Sequence, residues 1–320
     1  MNEQLQPLLS FKEQFAFEPI LKNSANFVAH KKTLVCGMGG SAIAVNFLNL
    51  LFPDLSLSLH NSYNIPKEIA SDTLVIINSY SGDTEEELDS FTKAITLGFT
   101  TVAVSKGGKL LELAKANGSP YVELPESGLE PRFATGHQMI AILTIIQRED
   151  KKKLLKSASE KIGLESGVQA GGVLASRLAN KYPVIYSSPL LNPLTYPIKA
   201  AINEGAKLPA FVNVIPEANH NELQGFVVDE SHNESNSFGL LFFVSSFDHP
   251  RIQKRMTVMR ELYGAQGFVC EEILVDHSSP SSLLDALFLG YSFATALAIN
   301  RGVNPYTTPF IQEFKKKMAD

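Results

Sequence analysis

The sequence predicts an α/β fold of two similar domains, each a mainly parallel sheet flanked by helices. Two observations carry that prediction. Short apolar runs of strand length alternate with amphipathic stretches of helix length, the pattern of βαβ units around a parallel sheet. The same rhythm then occurs a second time within 320 residues, a length that suits two domains, and there is no tandem repeat at short period.

In the first half the expected strands are KTLVCG, LSLSLH, TLVIINS, TTVAVS and PYVELP. The stretches SAIAVNFLNLLF, TEEELDSFTKAITLG and KLLELAKANG between them read as helices. Asp83-Thr84 followed by Glu85, Glu86 and Glu87 marks a helix start, because carboxylates in a first turn favour the helix dipole. ATGHQMIAILTIIQREDKKKLLKSASEKI reads as a long apolar helix, a charged patch and another helix. The charge run is expected to be a solvated face at a junction near residue 150, giving domains at 1–150 and 151–320. In the second half YPVIYSS, PAFVNVI, FGLLFFVSS and FVCEEILV are the expected strands. TYPIKAAINEGAK, PRIQKRMTVMRELYGAQ and SLLDALFLGYSFATALAINRG are the expected helices.

Composition narrows the class. The net charge of −5 gives no electrostatic footprint for nucleic acid. The seven histidines are scattered, with no pair at metal-ligand spacing. Cys36 and Cys270 each lie in an apolar run and read as buried small hydrophobes in a reducing compartment. The N-terminus MNEQLQPLLSFKEQ has no apolar leader core, and no stretch is expected to reach the roughly 18 apolar residues that a spanning helix needs. A soluble cytoplasmic protein is the expectation.

VCGMGGSAIAVNF resembles a dinucleotide-binding turn, since Gly37, Gly39 and Ala42 satisfy G-x-G-x-x-G/A. A dinucleotide site needs an acidic residue about 20 positions later to hold the ribose, and Ser56 to Tyr63 contains none. The next strand instead runs into NSYSGDTEEEL, rich in hydroxyls: Ser79, Ser81 and Thr84 around Gly82. Carboxyl ends of neighbouring parallel strands share one crevice, so Ser41 and these three would face a common ligand. Short hydroxyl donors with helix N-terminal amides suit a phosphate monoester; single residues of this kind are otherwise ordinary turn formers and caps.

GMGGSAI with SYSGDTEE resembles the first half of a sugar isomerase (SIS) domain. EPRFATG, NEGAKLPAF and IPEANHNELQGF narrow the resemblance to the bifunctional phosphoglucose/phosphomannose isomerases, from about Leu34 to the C-terminus. The resemblance implies two SIS domains, each a flavodoxin-like three-layer sandwich. The first would carry the phosphate loops; the second would carry the catalytic Glu and His, with the C-terminal segment closing the site. It implies interconversion of glucose 6-phosphate and mannose 6-phosphate with fructose 6-phosphate through a cis-enediol, with no metal or coenzyme. Phosphate would contact Gly39, Gly40, Ser41, Ser79, Ser81 and Thr84. Glu204 would move the proton between C1 and C2, strengthened as a base by its apolar helical stretch. His220 would open the sugar ring, supplied across a homodimer with shared active sites, and Arg132 would stabilise the enediolate.

Lys315 matches a lysine that assists ring opening, with Lys316 and Lys317 as neighbouring alternatives, and Thr308 matches a threonine associated with accepting both C2 epimers. His30, His60, His137, His232, His249 and His277 match no family motif and read as structural or exposed. Two departures stand out. Phe133 follows Arg132 where relatives often carry a small residue, and Asp83 stands where many have Asn. The alternatives are a non-catalytic SIS-domain sugar-phosphate-binding regulator, an SIS isomerase for another sugar phosphate and, more remotely, a dehydrogenase.

Overall fold

A computed structural model describes residues 3–28, 30–229, 233 and 235–319; His232 lies outside the described residues. The chain divides into two compact units, Ser10–Lys161 and Met1–Leu9 with Ile162–Asp320.

The first unit holds β1 (Leu21–Lys22), β2 (Lys32–Cys36), β3 (Ser58–His60), β4 (Thr73–Asn78), β5 (Thr101–Ser105) and β6 (Tyr121–Glu123), in the order β1-β6-β5-β4-β2-β3. All neighbours are parallel except β1, an added edge strand antiparallel to β6. Every residue of β4 and β5 is buried, as a sheet covered on both faces requires, and this is why these strands read as unbroken apolar runs. Helices α1 (Gly39–Leu51), α2 (Glu85–Thr96), α3 (Gly108–Ala116), α4 (Thr135–Ile145) and α5 (Glu149–Glu160) complete the unit. Phe91 and Ala94 of α2 and Leu110, Leu111 and Ala114 of α3 share one core with Leu34, Cys36, Val75, Ile77 and Ala103 of the sheet.

The division falls after Lys161 rather than near residue 150. Helix α5 buries Leu155 and Ala158, and its Lys151, Lys152 and Lys156 are ion-paired within the first unit. Lys152 and Lys156 reach Glu18 at 3.5 and 3.1 Å, while Lys151 and the preceding Arg148 reach Asp54 at 3.0 and 2.8 Å. The charge run is therefore the paired outer face of a packed helix, not a junction.

The second unit repeats the topology. Its strands β7 (Tyr182–Ser187), β8 (Phe211–Val214), β9 (Phe238–Val244) and β10 (Val269–Leu274) lie in the order β10-β9-β7-β8, all parallel. That order matches β5-β4-β2-β3 of the first sheet. Helices α6 (Leu164–Arg177), α7 (Asn192–Ala201), α8 (Pro250–Ala265), α9 (Pro280–Asn300) and α10 (Pro309–Ala319) accompany it. The turns after β7 and β9 close on themselves: Ser187 Oγ lies 3.0 Å from Thr195 Oγ1, and the Ser245 amide donates to Asp248 Oδ2 at 3.3 Å.

Helix α9 overturns one expectation, being long and apolar enough to cross a membrane by length and composition. It is apolar all round because most of its side chains are buried in the unit's core, where it packs on α6 and α7. Gly171 of α6 and Gly290 of α9 permit this approach. A Cβ at Gly171 would lie 2.6 Å from the Phe293 amide nitrogen, and one at Gly290 would lie 2.3 Å from Ile198 Cγ1.

Candidate active site

In the first sheet the chain leaves β2 toward β3 on one side and leaves β4 toward β5 on the other. The carboxyl ends of β2 and β4 therefore flank a topological switch point, the place where open α/β sheets bind ligands. The two hydroxyl-bearing segments emerge there, Gly37–Ser41 after β2 and Ser79–Thr84 after β4. They are tied together: Asn78 Nδ2 donates to the Ser41 carbonyl at 3.1 Å, and the Tyr80 amide donates to Ser41 Oγ at 3.4 Å. Ser79 Oγ donates to Thr84 Oγ1 at 3.1 Å and accepts from the Gly82 amide at 3.3 Å, while the Asp83 amide donates to Ser81 Oγ at 3.3 Å. Ser41 and Ser79 are buried, Ser81 and Thr84 half-buried.

Gly82 is indispensable to this turn. Its φ is +81°, and a Cβ there would lie 1.9 Å from the Gly107 carbonyl oxygen. Gly82→Ala is expected to destabilise the protein by about 3 kcal/mol through left-handed strain and overpacking. Urea unfolding would show it, and an unchanged midpoint would refute the close approach. Asp83, the departure from the family pattern, does not cap its own helix: its Oδ1 accepts from the Lys109 amide at 3.0 Å, at the start of α3.

Arg132 joins the same loops. Gly40 in the first turn of α1 lies under the backbone before it, and a Cβ at Gly40 would meet the Pro131 carbonyl oxygen at 2.4 Å. The Arg132 side chain is 2% exposed, with its guanidinium 4.7 Å from the centroid of the Phe133 ring and 3.7 Å from Glu130 Oε2. Phe133 thus has a physical role: a buried aromatic face supporting the cation. Gln14 braces the segment by donating to the Phe133 carbonyl at 2.7 Å and accepting from the Gly136 amide at 2.9 Å. Nothing in the N-terminal sequence pointed to Gln14, because its partners are more than 100 residues away.

Glu87 also departs from expectation. It stands in the first turn of α2 as predicted, but is only 2% exposed, behind the hydroxyl loop. Burial pushes its carboxyl up to about 7, opposed in part by the Met38 amide and the Thr84 hydroxyl. A carboxyl raised from 4.5 to about 7 holds a proton in the folded state that the unfolded chain has released, so stability falls as pH rises across that window. Glu87→Gln is expected to remove about 3 kcal/mol of that loss at pH 8. Urea midpoints at pH 5 and pH 8 check this, and an identical pH slope in the variant would disprove it. The same physics disfavours both thiolates, with burial pushing Cys36 up to about 12 and half-buried Cys270 up to about 11.

The second unit carries the remaining expected residues. Glu204 lies not on a regular helix but on a π-helical turn, Ile202–Ala206, that continues α7; such turns recur at functional sites. Ile202, Gly205 and Ala206 are buried, while Glu204 itself is half-buried. The segment containing Thr308 is fastened to this turn by Lys207, whose Nζ donates to the Glu204 and Thr307 carbonyls at 2.5 and 2.6 Å. The sequence offered no signal for Lys207 beyond its proximity to Glu204. His220 ends a short 3-10 turn, Glu217–His220, and is exposed. Lys315, Lys316 and Lys317 are all exposed on α10.

The other described histidines have local roles. His249 Nδ1 accepts from the Arg251 amide and caps α8, and His30 Nδ1 lies 2.7 Å from the Asp72 carbonyl oxygen. His60 Nε2 lies 3.1 Å from the Tyr63 carbonyl oxygen, and His277 is half-buried against Phe247. His137 is buried in α4, where desolvation lowers it to about 4 and keeps it neutral.

The chain is similar to known proteins along nearly its whole length. A family model described as the bacterial phospho-glucose isomerase C-terminal SIS domain matches residues 168–318. The chain is 31% identical to a bifunctional phosphoglucose/phosphomannose isomerase of Aquifex aeolicus, an alignment covering 99% of each. It is 32% identical over 218 residues to a D-glucosamine-6-phosphate 4-epimerase of Sulfolobus acidocaldarius, covering 66% of this chain and 69% of the relative. Among solved structures, a hypothetical protein from Thermus thermophilus superposes with a TM-score of 0.71 at 16% identity, covering 99% of this chain and 87% of that one. That likeness speaks to the fold alone.

Proposed function

The chain belongs to the bifunctional phosphoglucose/phosphomannose isomerase family, and on that footing we propose that it interconverts glucose 6-phosphate and mannose 6-phosphate with fructose 6-phosphate. The observation that carries this reading on the chain's own residues is the pair of interlocked hydroxyl loops at the switch point between β2 and β4, with buried Arg132 packed against them. Ser41, Ser79, Ser81 and Thr84, with the amides of Gly39 and Gly40, hold the phosphate and leave the sugar carbons to be worked on elsewhere.

Glu204 takes the proton from C2 of the aldose and returns it to C1, and the hydroxyl proton moves from O2 to O1, so the carbonyl migrates without loss of atoms. The enediolate formed midway carries negative charge, which the Arg132 guanidinium stabilises. The two aldoses differ only at C2 and share that enediolate. Turnover of both requires each face of C2 to be presented to Glu204, a task we give to the room beside Thr308. His220 and Lys315 serve ring opening. The exposure of His220 supports its donation to a second copy of the chain, and hence a homodimer with shared sites.

The test is a coupled assay of purified protein with fructose 6-phosphate in the presence of EDTA, scoring glucose 6-phosphate and mannose 6-phosphate separately. Both products are expected. Formation of one alone would remove the role given to Thr308. Turnover of glucosamine 6-phosphate with neither product would reassign the chemistry to the other activity named among its relatives.

A further inference from the structure

Lys207 closes the π-helical turn that carries Glu204, and it does so in the left-handed region at φ 54°. This non-glycine residue departs from ordinary helical backbone, and its side chain folds back across the end of the turn. Four backbone carbonyls converge on Nζ and share its three N–H donors: Glu204 at 2.5 Å, Gly205 at 3.1 Å, Asn304 at 2.9 Å and Thr307 at 2.6 Å. Arg301 Nε takes the next carbonyl, Ala206, at 3.0 Å. The final carbonyls of a helix have no amide partners of their own and attract cations, so the two side chains complete the turn. Two of the four acceptors on Lys207 belong to the turn bearing the base. The other two belong to the segment 304–307, which leads directly into Thr308.

The geometry points to Lys207 as a positioning residue: its ammonium holds the π-turn of Glu204 and the segment of Thr308 in one register and so governs both turnover and the choice of C2 epimer. This rests on the reading of Glu204 as the base. A π-turn stripped of its capping donor has an alternative, the regular α-helical register, in which the Glu204 side chain would leave from a different angle about the helix axis. A displacement of about 1 Å costs on the order of 100-fold in rate when the reacting geometry is tight. The phosphate hydroxyls lie in the segments that follow β2 and β4 of the other unit, so loss of Lys207 leaves ground-state binding largely intact.

The experiment is steady-state kinetics of Lys207→Met with fructose 6-phosphate, alongside Lys207→Arg and Glu204→Gln. Lys207→Met keeps the aliphatic stem and removes every donor. It is expected to lower kcat on the order of 100-fold, to leave KM within about threefold, and to change the ratio of glucose 6-phosphate to mannose 6-phosphate formed. Wild-type kcat and product ratio in Lys207→Met, or a rise in KM alone, would overturn the inference. If Lys207→Met does not fold, Lys207→Arg is read in its place. A planar guanidinium cannot meet four converging carbonyls as a compact ammonium does, so a lower kcat and an altered product ratio are expected. Unchanged values would refute the positioning role. Glu204→Gln separates the two ideas: if that variant keeps its turnover, the reading of Glu204 fails whatever Lys207 does.

Discussion

Glu204→Gln is expected to lower isomerisation of fructose 6-phosphate by about 10,000-fold, the full contribution of a positioned general base, while sugar phosphate still binds. The substitution preserves size and hydrogen-bonding capacity but removes the group that accepts the carbon-bound proton. The π-turn should persist, because Lys207 and Arg301 hold it through bonds to the Glu204, Gly205 and Ala206 carbonyls, which the substitution leaves in place. Two measurements settle the matter together: the coupled assay for kcat, and calorimetric titration of fructose 6-phosphate for affinity. Solvent deuterium entering C1 or C2, followed by NMR, gives a third, since exchange needs the base alone. Retained exchange would assign the base to another residue.

Arg132→Ala is expected to lower kcat by about 100- to 1,000-fold, the range seen when one preorganised electrostatic partner of an oxyanion is removed, with a much smaller change in KM. The reason lies in when the charge exists. The enediolate appears only near the transition state, and a guanidinium held on the Phe133 face requires no reorganisation to meet it. Arg132→Lys keeps the charge but not the planar contact, and should fall between wild type and Arg132→Ala. A pure KM effect would reassign Arg132 to ground-state phosphate binding. Thermal melts should accompany the kinetics, because truncating a side chain only 2% exposed leaves a void.

The sequence announced what local periodicity and composition encode. All nine strand runs read from the sequence are strands, because buried parallel strands are apolar on both faces and strand-length runs are hard to mistake when helices alternate with them. The hydroxyl loops were equally legible, since Ser41, Ser79, Ser81 and Thr84 fall directly after strands that adjoin at the switch point. Long-range partners left no such trace. Gln14 acts on Phe133 and Gly136 across more than 100 residues, Lys207 acts on Asn304 and Thr307, and no periodicity records either pairing. Helix α6 was missed because Gly167, Gly171 and Gly172 weaken the helical signal, yet Gly171 is what the α9 contact requires. Glu87 read as one of three carboxylates marking a helix start, and only tertiary packing shows it buried.

The duplicated strand order has a consequence for how many substrates one chain can hold. A second switch point exists between β7 and β9, and by symmetry of topology it would be a second anion site. There, however, Ser187 is engaged with Thr195, and the Ser245 amide is already given to the Asp248 carboxylate. Duplicating the fold therefore need not duplicate the site: in the second copy the hydroxyl after β7 and the amide after β9 already have partners within their own turns.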